Sequence, residues 1–482
     1  ENISCMFLGC LSLKEFDCRD LNVENVTDMS GMFGMYSVEK VNMSGMNFKS
    51  LKSMGYMFEN CNKLEKVYLT GVNTIKVDTF CGMFSGCTSL KEIDVSGFRT
   101  NNVKDMSSMF QYCRLLTSLD VSRFETENVE DMSGMFEKLS QLRELKISNF
   151  KTSNVRDMSS MFNECGYLKE IDVSGFDTSK VEDMSYLFSS CAYVTSLEIS
   201  NFNTENVKDM SHMFHGCFGV KELNIKGFNT AKVMDMQYMF SECRNLKSLD
   251  VSNFDTSNVE NMMAMFDYLS SVSVIDVSNF KTKKVKDMSY MFNYCFSVSE
   301  LAINKFDTQN VEDFYFMFNG CKSIKSLDIS GFKTSNVKDM CHAFSGMVQL
   351  TSLDISGFDT SEVLDMANMF QDDENLLVRG IENLKTSQVI DMASMFQNCK
   401  KINYTNGLCS SCEENYFLNS GDKKCVSIEH CYKSSFGVCT QCEQNYILNK
   451  EDDICEEKNE EFLNCKITLD NKVSKIIKMS CI

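Results

Sequence analysis

Apolar and polar positions along this chain recur with one period. The stretch from Phe98 to Phe124, FRTNNVKDMSSMFQYCRLLTSLDVSRF, is followed by units starting at Phe124, Phe150, Phe176 and onward to Phe358, each step 26 residues. The internal Met-Phe pair extends the pattern from Phe7 to Phe396, giving 16 copies with one 25-residue step between Phe33 and Phe58. A fixed period of this size predicts a solenoid, in which each copy is one coil stacked on its neighbours. Like side chains then pile into apolar columns.

Three elements follow from the unit. Leu116-x-x-Leu119-x-Val121 alternates as a short strand with one buried face does. Stacked in register, such strands form one parallel sheet with rungs about 4.8 Å apart. The residue before each strand-end Phe is mostly Gly or Asn, as at Gly97, Asn149, Gly175 and Gly331. Those types tolerate positive φ, so a sharp turn is expected there, with Arg123 and Lys305 as strained exceptions. A Thr follows at a fixed place from Thr74 to Thr386, with a Val three later. The Thr hydroxyls are expected to form a ladder that satisfies turn backbone, and the Val to point inward. The spacing of Met106, Met109, Phe110 and Cys113 predicts a short helix. Asp105, Asp131, Asp157, Asp183, Asp209 and Asp235 stand where that helix starts and are assigned as its caps. A calcium ladder is the competing reading of this row. Ser53 and Thr79 fill the same slot, which favours capping.

The remaining chemistry-bearing residues read mainly as packing. Met fills irregular cores and occupies two slots per coil. The recurring Cys, from Cys10 to Cys399, gives way to Leu139, Leu269 and Met347 at its slot. Buried free thiols are therefore expected, with disulfides between neighbours as the alternative. His212, His215 and Cys217 lie close enough in sequence to raise a zinc site, but no fourth ligand is evident. After Phe370 one coil is irregular. Asp373 takes the Cys slot and Arg379 a strand slot, so either the two pair or the strand slips to bury Leu377 and Ile381.

Composition adds limits. The 482 residues carry a net charge of −19, which disfavours nucleic acid as a partner. Pro is absent, which suits a fold that uses its backbone N–H groups. There is no run of 18 apolar residues, hence no membrane span in this chain. The chain opens inside a repeat, so a leader, and perhaps an anchor, is expected to have been removed. The period stops near Asn403, giving a solenoid over 1–403 and a Cys-dense region over 404–482. That region repeats once, with 30 residues between Cys409-x-x-Cys412 leading to Cys425 and Cys439-x-x-Cys442 leading to Cys455. Cys409, Cys412, Cys425, Cys431, Cys439, Cys442, Cys455 and Cys465 are assigned to disulfides, with zinc as the weaker alternative. Disulfides imply an oxidising compartment. Sequons at Asn2, Asn25, Asn42 and Asn403 agree with an exported glycoprotein.

The unit resembles the BspA-like leucine-rich-repeat surface proteins of bacteria, mycoplasmas and protists, over about residues 1–403. Phe, Asp, Met-Phe, Cys and Leu-Asp-Val recur at that family's spacing. The tail looks like the furin- or growth-factor-receptor-like Cys-rich repeats of protist surface antigens. The resemblance implies a leucine-rich-repeat-like α/β solenoid, with one parallel sheet and a short helix per coil, followed by a small disulfide-rich module. It also implies a secreted or surface-displayed location, a role in adhesion, and no catalytic residues. The expectation is a non-enzymatic extracellular scaffold or adhesin that displays outward strand residues such as Ser118, Asp120 and Ser122. Self-association into a fibre or coat is expected, no cofactor is, and an extracellular protein or glycan is the ligand class. The alternative is a ligand-binding receptor ectodomain at the cell surface.

Overall fold

The computed structural model describes residues 1–400 except 11, 20 and 35–37, and beyond 400 the backbone of eight short strands between Tyr416 and Cys481. Those eight strands pair as antiparallel two-stranded ladders. The chain divides into two units, Glu1–Phe280 and Lys281–Ile482. Each is built from stacked coils over its described repeats.

The apolar columns form as the period requires. Phe110 is fully buried, and its ring stacks on Phe84 at 5.7 Å and on Phe136 at 6.3 Å between centroids. Within the second unit Phe318 stacks on Phe292 and on Phe344, both at 5.7 Å. Met106, Met109, Cys113, Leu116, Val121 and Val103 are buried beside Phe110. Each such Phe, Met or Leu contributes about 1.5–3 kcal/mol on burial. Because every coil repeats the set, each apolar face is covered by copies of itself.

The segment expected to be helical is a chain of tight turns, and the described residues contain no α-helix. Within the coil, Met109 N–H donates to the Met106 carbonyl at 3.3 Å, Gln111 to Ser108 at 3.1 Å and Cys113 to Phe110 at 3.1 Å. The intervening N–H groups leave the coil. Met106 donates to Asp131 at 3.0 Å, Ser108 to Ser133 at 2.7 Å, Phe110 to Met135 at 3.0 Å and Tyr112 to Glu137 at 2.9 Å. A helix would keep all its bonds inside the segment. Here half of them tie one coil to the next. The alternation requires left-handed backbone at two places per coil, such as Ser108 (φ 54°) and Tyr112 (φ 60°). Asp105, Asp131, Asp157, Asp183, Asp209 and Asp235 therefore have no helix to cap. They begin turns rather than cap helices: Asp105 Oδ1 accepts the Ser107 N–H at 2.9 Å, and Asp131 Oδ1 accepts that of Ser133 at 2.8 Å. Isolated parallel bridges join this slot from coil to coil, Asn2 through Asn261 in the first unit and Asp287 through Asp391 in the second.

The strand side is less regular. Parallel ladders join β1 (Glu15–Asp17), β2 (Lys40–Asn42) and β3 (Lys66–Tyr68), then β4 (Ser118–Asp120) and β5 (Glu144–Lys146), and finally β6 (Ser352–Asp354) and β7 (Leu377–Arg379). In the coils between, the same slots alternate buried and exposed without forming a ladder, as at Leu197 and Ile199. The architecture is a parallel β-solenoid held mainly by its turn side.

Two smaller expectations change. The Gly and Asn before each strand-end Phe do not have positive φ at Gly97, Asn149, Gly175 or Gly331, nor do Arg123 and Lys305. The turn there uses ordinary backbone. The Asn amide instead reaches across coils, with Asn149 Nδ2 donating to the Ser122 carbonyl at 3.1 Å. In the irregular coil, Leu353 pairs with Val378, a 25-residue offset, and a left-handed Gly380 (φ 87°) follows. The slip buries Val378 and Ile381, leaves Leu377 half-buried and turns Arg379 outward.

Candidate functional site

Inside the coils, polar side chains are occupied with backbone. Thr178 Oγ1 accepts the Asn203 N–H at 2.8 Å and donates to the Asn203 carbonyl at 2.9 Å. Thr74, Thr100, Thr126 and Thr152 do the same one coil on. The expected hydroxyl ladder is therefore present, and buried. The buried column thiols of Cys87, Cys113, Cys165, Cys191, Cys217, Cys243 and Cys321 are free. Cys113 Sγ donates to the Phe84 carbonyl at 3.1 Å, and Cys217 Sγ to the Phe188 carbonyl at 3.2 Å. Burial pushes the Cys165, Cys217 and Cys321 thiols up to about 12. They stay protonated and are poor nucleophiles.

Three groups depart from this pattern. Carboxylates of the turn column lie half-buried with like charges above and below. Burial first, and the neighbouring carboxylates after it, raise Asp131 and Asp183, and push Asp313 up to about 6. His212 is sandwiched between Tyr186 at 4.1 Å and Tyr238 at 4.6 Å, with His215 edge-on at 5.6 Å. Burial, helped by His215, pushes His212 down to about 4. Asp373 is fully buried in the thiol column. Its Oδ1 accepts the Met347 N–H at 2.6 Å, while Oδ2 has no partner among the described residues. Burial pushes it up to about 8. Among the described residues no cluster of three or more His, Cys, Asp or Glu is placed to hold a metal ion.

The outward strand face carries a repeated set. Ser118 and Asp120 are exposed, and Ser122 is half-buried. Asp120 Oδ1 accepts both the Ser122 N–H at 3.1 Å and its hydroxyl at 2.6 Å, and Oδ2 accepts from Lys146 Nζ at 2.9 Å. These bonds hold Asp120 down at about 2. Asp172, Asp250, Asp328 and Asp354 hold the Ser two residues on in the same way. In the first unit this face opens into a groove lined by Glu222, Asn224, Lys226, Lys247, Asp250 and Val274. Val274 is 60% exposed there, where the coils from Glu92 to Ser248 place Ser or Glu. Of the sequon residues, Asn25 is exposed, while the amides of Asn2 and Asn42 bond Asp28 and Asp17. Asn403 and the side chains of Cys409, Cys412, Cys425, Cys431, Cys439, Cys442, Cys455 and Cys465 lie outside the described residues. No described helix is long and apolar enough to cross a membrane.

Coil, columns and polar outer face define a tandem-repeat parallel β-solenoid. The repeats match the family described as "Mycoplasma protein of unknown function, DUF285" over residues 1–120, 37–142, 112–222, 182–301, 219–326 and 295–408. The chain belongs to that family. A search of curated proteins gives no match. Among solved structures, a leucine rich cell surface protein from Faecalibacterium prausnitzii is 16% identical, with 82% of this chain and 88% of that one covered and a TM-score of 0.31. A leucine-rich-repeat protein of Leptospira interrogans is 10% identical, with 71% and 92% covered and a TM-score of 0.20. The functional domain of InlJ from Listeria monocytogenes, which includes a cysteine ladder, is 12% identical, with 69% and 66% covered and a TM-score of 0.14. Superpositions this loose carry no functional argument.

Proposed function

We propose that this protein is a non-enzymatic extracellular scaffold or adhesin whose strand face is its working surface. One observation carries the reading. Asp with Ser two residues on recurs at one slot of the strand face, at Asp94, Asp120, Asp172, Asp250, Asp276, Asp328 and Asp354, with Lys146, Glu198, Asn224 and Ala302 at that slot in the coils between. Such an array offers many weak, equivalent contacts, which suits a repetitive protein or glycan ligand, or another copy of the chain. The resemblance to BspA-like surface proteins supports a location outside the cell, as does the Cys-dense tail. The turn-column Asp residues are structural in this reading, and the eight tail cysteines form disulfides. Purified protein applied to immobilised matrix proteins and glycans should bind with an affinity that falls when Asp120, Asp172 and Asp250 are changed together to Asn. Light scattering and electron microscopy of the same sample should detect assemblies. Monomer at high concentration with no surface binding would refute the proposal.

The groove at Glu222 to Asp276 favours a second reading, a receptor ectodomain with one defined ligand site. Saturable binding of one ligand per chain, lost on Val274→Asp, would select it over the array.

A further inference from the structure

Along two runs of coils, the residue just before the turn-column slot faces outward and its charge alternates. In the first unit the slot reads Lys52, Asp78, Lys104, Glu130, Arg156, Glu182 and Lys208 between Thr27 and Met234, with Glu260 beyond. In the second unit it reads Lys286, Glu312, Lys338, then Leu364. The backbone clamps these residues over one another. Lys104 N–H donates to the Asp78 carbonyl, Glu130 to Lys104 and Arg156 to Glu130, each at 2.8 Å, and Glu182 donates to Arg156 at 2.7 Å. The side chains then pair with their neighbours: Lys104 with Glu130 at 3.6 Å, Arg156 with Glu182 at 3.3 Å, Lys208 with Glu182 at 2.6 Å and Lys338 with Glu312 at 2.6 Å.

Exposed ion pairs of this kind add little to stability. Their arrangement matters for another reason. The buried columns repeat one residue type, or an apolar substitute for it, in most coils, so the core barely distinguishes an adjacent coil from the next but one. Coil n set directly on coil n+2 would still place Phe on Phe, Met on Met and Thr beneath the same backbone. At the alternating slot it would place Lys104 against Arg156, or Glu130 against Glu182. Like charges held side by side on neighbouring strands repel. We propose that this column is a register device. It rejects stacking that skips a coil, both as the chain folds and when the coils of two chains meet.

The test uses the full chain with a reporter. Asn101→Cys and Ser153→Cys lie two coils apart in the native stack and become neighbours only when one coil is skipped. The reporter is placed in the natural column, in a neutral column (Asp78→Asn with Lys104→Gln, Glu130→Gln, Arg156→Gln, Glu182→Gln and Lys208→Gln) and in a column with every sign inverted. Each is refolded from denaturant under oxidising conditions, and the cross-link between the two introduced thiols is counted by mass spectrometry. The neutral column should raise that cross-link several-fold while the native melting temperature stays nearly the same, and the inverted column should match the natural one. If the neutral column fails to refold and the inverted one succeeds, yield gives the same answer. Refolding the natural column at about 1 M salt, where charges are screened beyond about 3 Å, should also raise the cross-link. Equal cross-linking in natural and neutral columns, or an inverted column as faulty as the neutral one, would overturn the proposal.

Discussion

Single buried polar groups set the sharpest energetic demands. Thr178 bridges both backbone groups of Asn203, at 2.8 and 2.9 Å, from a fully buried position. Thr178→Val keeps the shape and leaves an N–H and a carbonyl without partners, so it should cost about 2–4 kcal/mol in urea unfolding. Asp373 makes a different demand. Its folded pKa of about 8 lies above the ordinary 3.8, so the folded chain holds this proton more tightly than the unfolded one. The associated stability is fully present below pH 3.8 and is lost as pH rises through about 8. Relative to Asp373→Asn, the natural protein should therefore lose stability as pH rises across that window, measured by thermal melting. His212 runs the opposite way. With its pKa lowered from 6.5 to about 4, it favours the fold above pH 6.5 and loses that contribution as pH falls toward about 4.

At the scale of the element, the turn segment decides the fold. Its buried Met106, Met109, Phe110 and Cys113 have helical spacing, and a run of tight turns buries the same positions. Sequence pattern alone did not separate the two, but one signal was available. Gly occupies Gly31, Gly82 and Gly134 at one slot of the segment, and Gly86, Gly216, Gly320 and Gly346 at another. Glycine recurring at two places in a supposed helix marks left-handed backbone, which those slots adopt. Ser160 sits at the first of these slots with φ 56°, and its N–H donates to the Ser185 carbonyl at 2.8 Å. Ser160→Pro fits neither the dihedral nor the bond, and should cost more than about 3 kcal/mol, read from the shift in the denaturant midpoint. The columns of Phe, Met, Cys, Leu, Val and Thr were legible because each repeats one residue type, or an apolar substitute, in most coils. The alternating charge column was not, because its sign repeats only every second coil and its residues are neither apolar nor chemically distinctive.

At the scale of the whole molecule, one relation carries the account: residues 26 apart lie against each other on neighbouring coils. The family match, the polar strand face and the register column all presuppose it. The role was harder to read than the fold, since a regular solenoid spends its conspicuous residues on its own core and leaves partner choice to Ser, Asp and Lys side chains on the outside. The most direct test uses a contact already in place. Ser107 Oγ lies 3.0 Å from Cys81 Sγ on the neighbouring coil. Ser107→Cys in the full chain, under mild oxidation, should give a rapid intramolecular disulfide between Cys81 and the new thiol, found by peptide mass mapping of the monomer. Absence of that link while both thiols remain reactive, or its appearance only between chains, would contradict the stacked-coil structure.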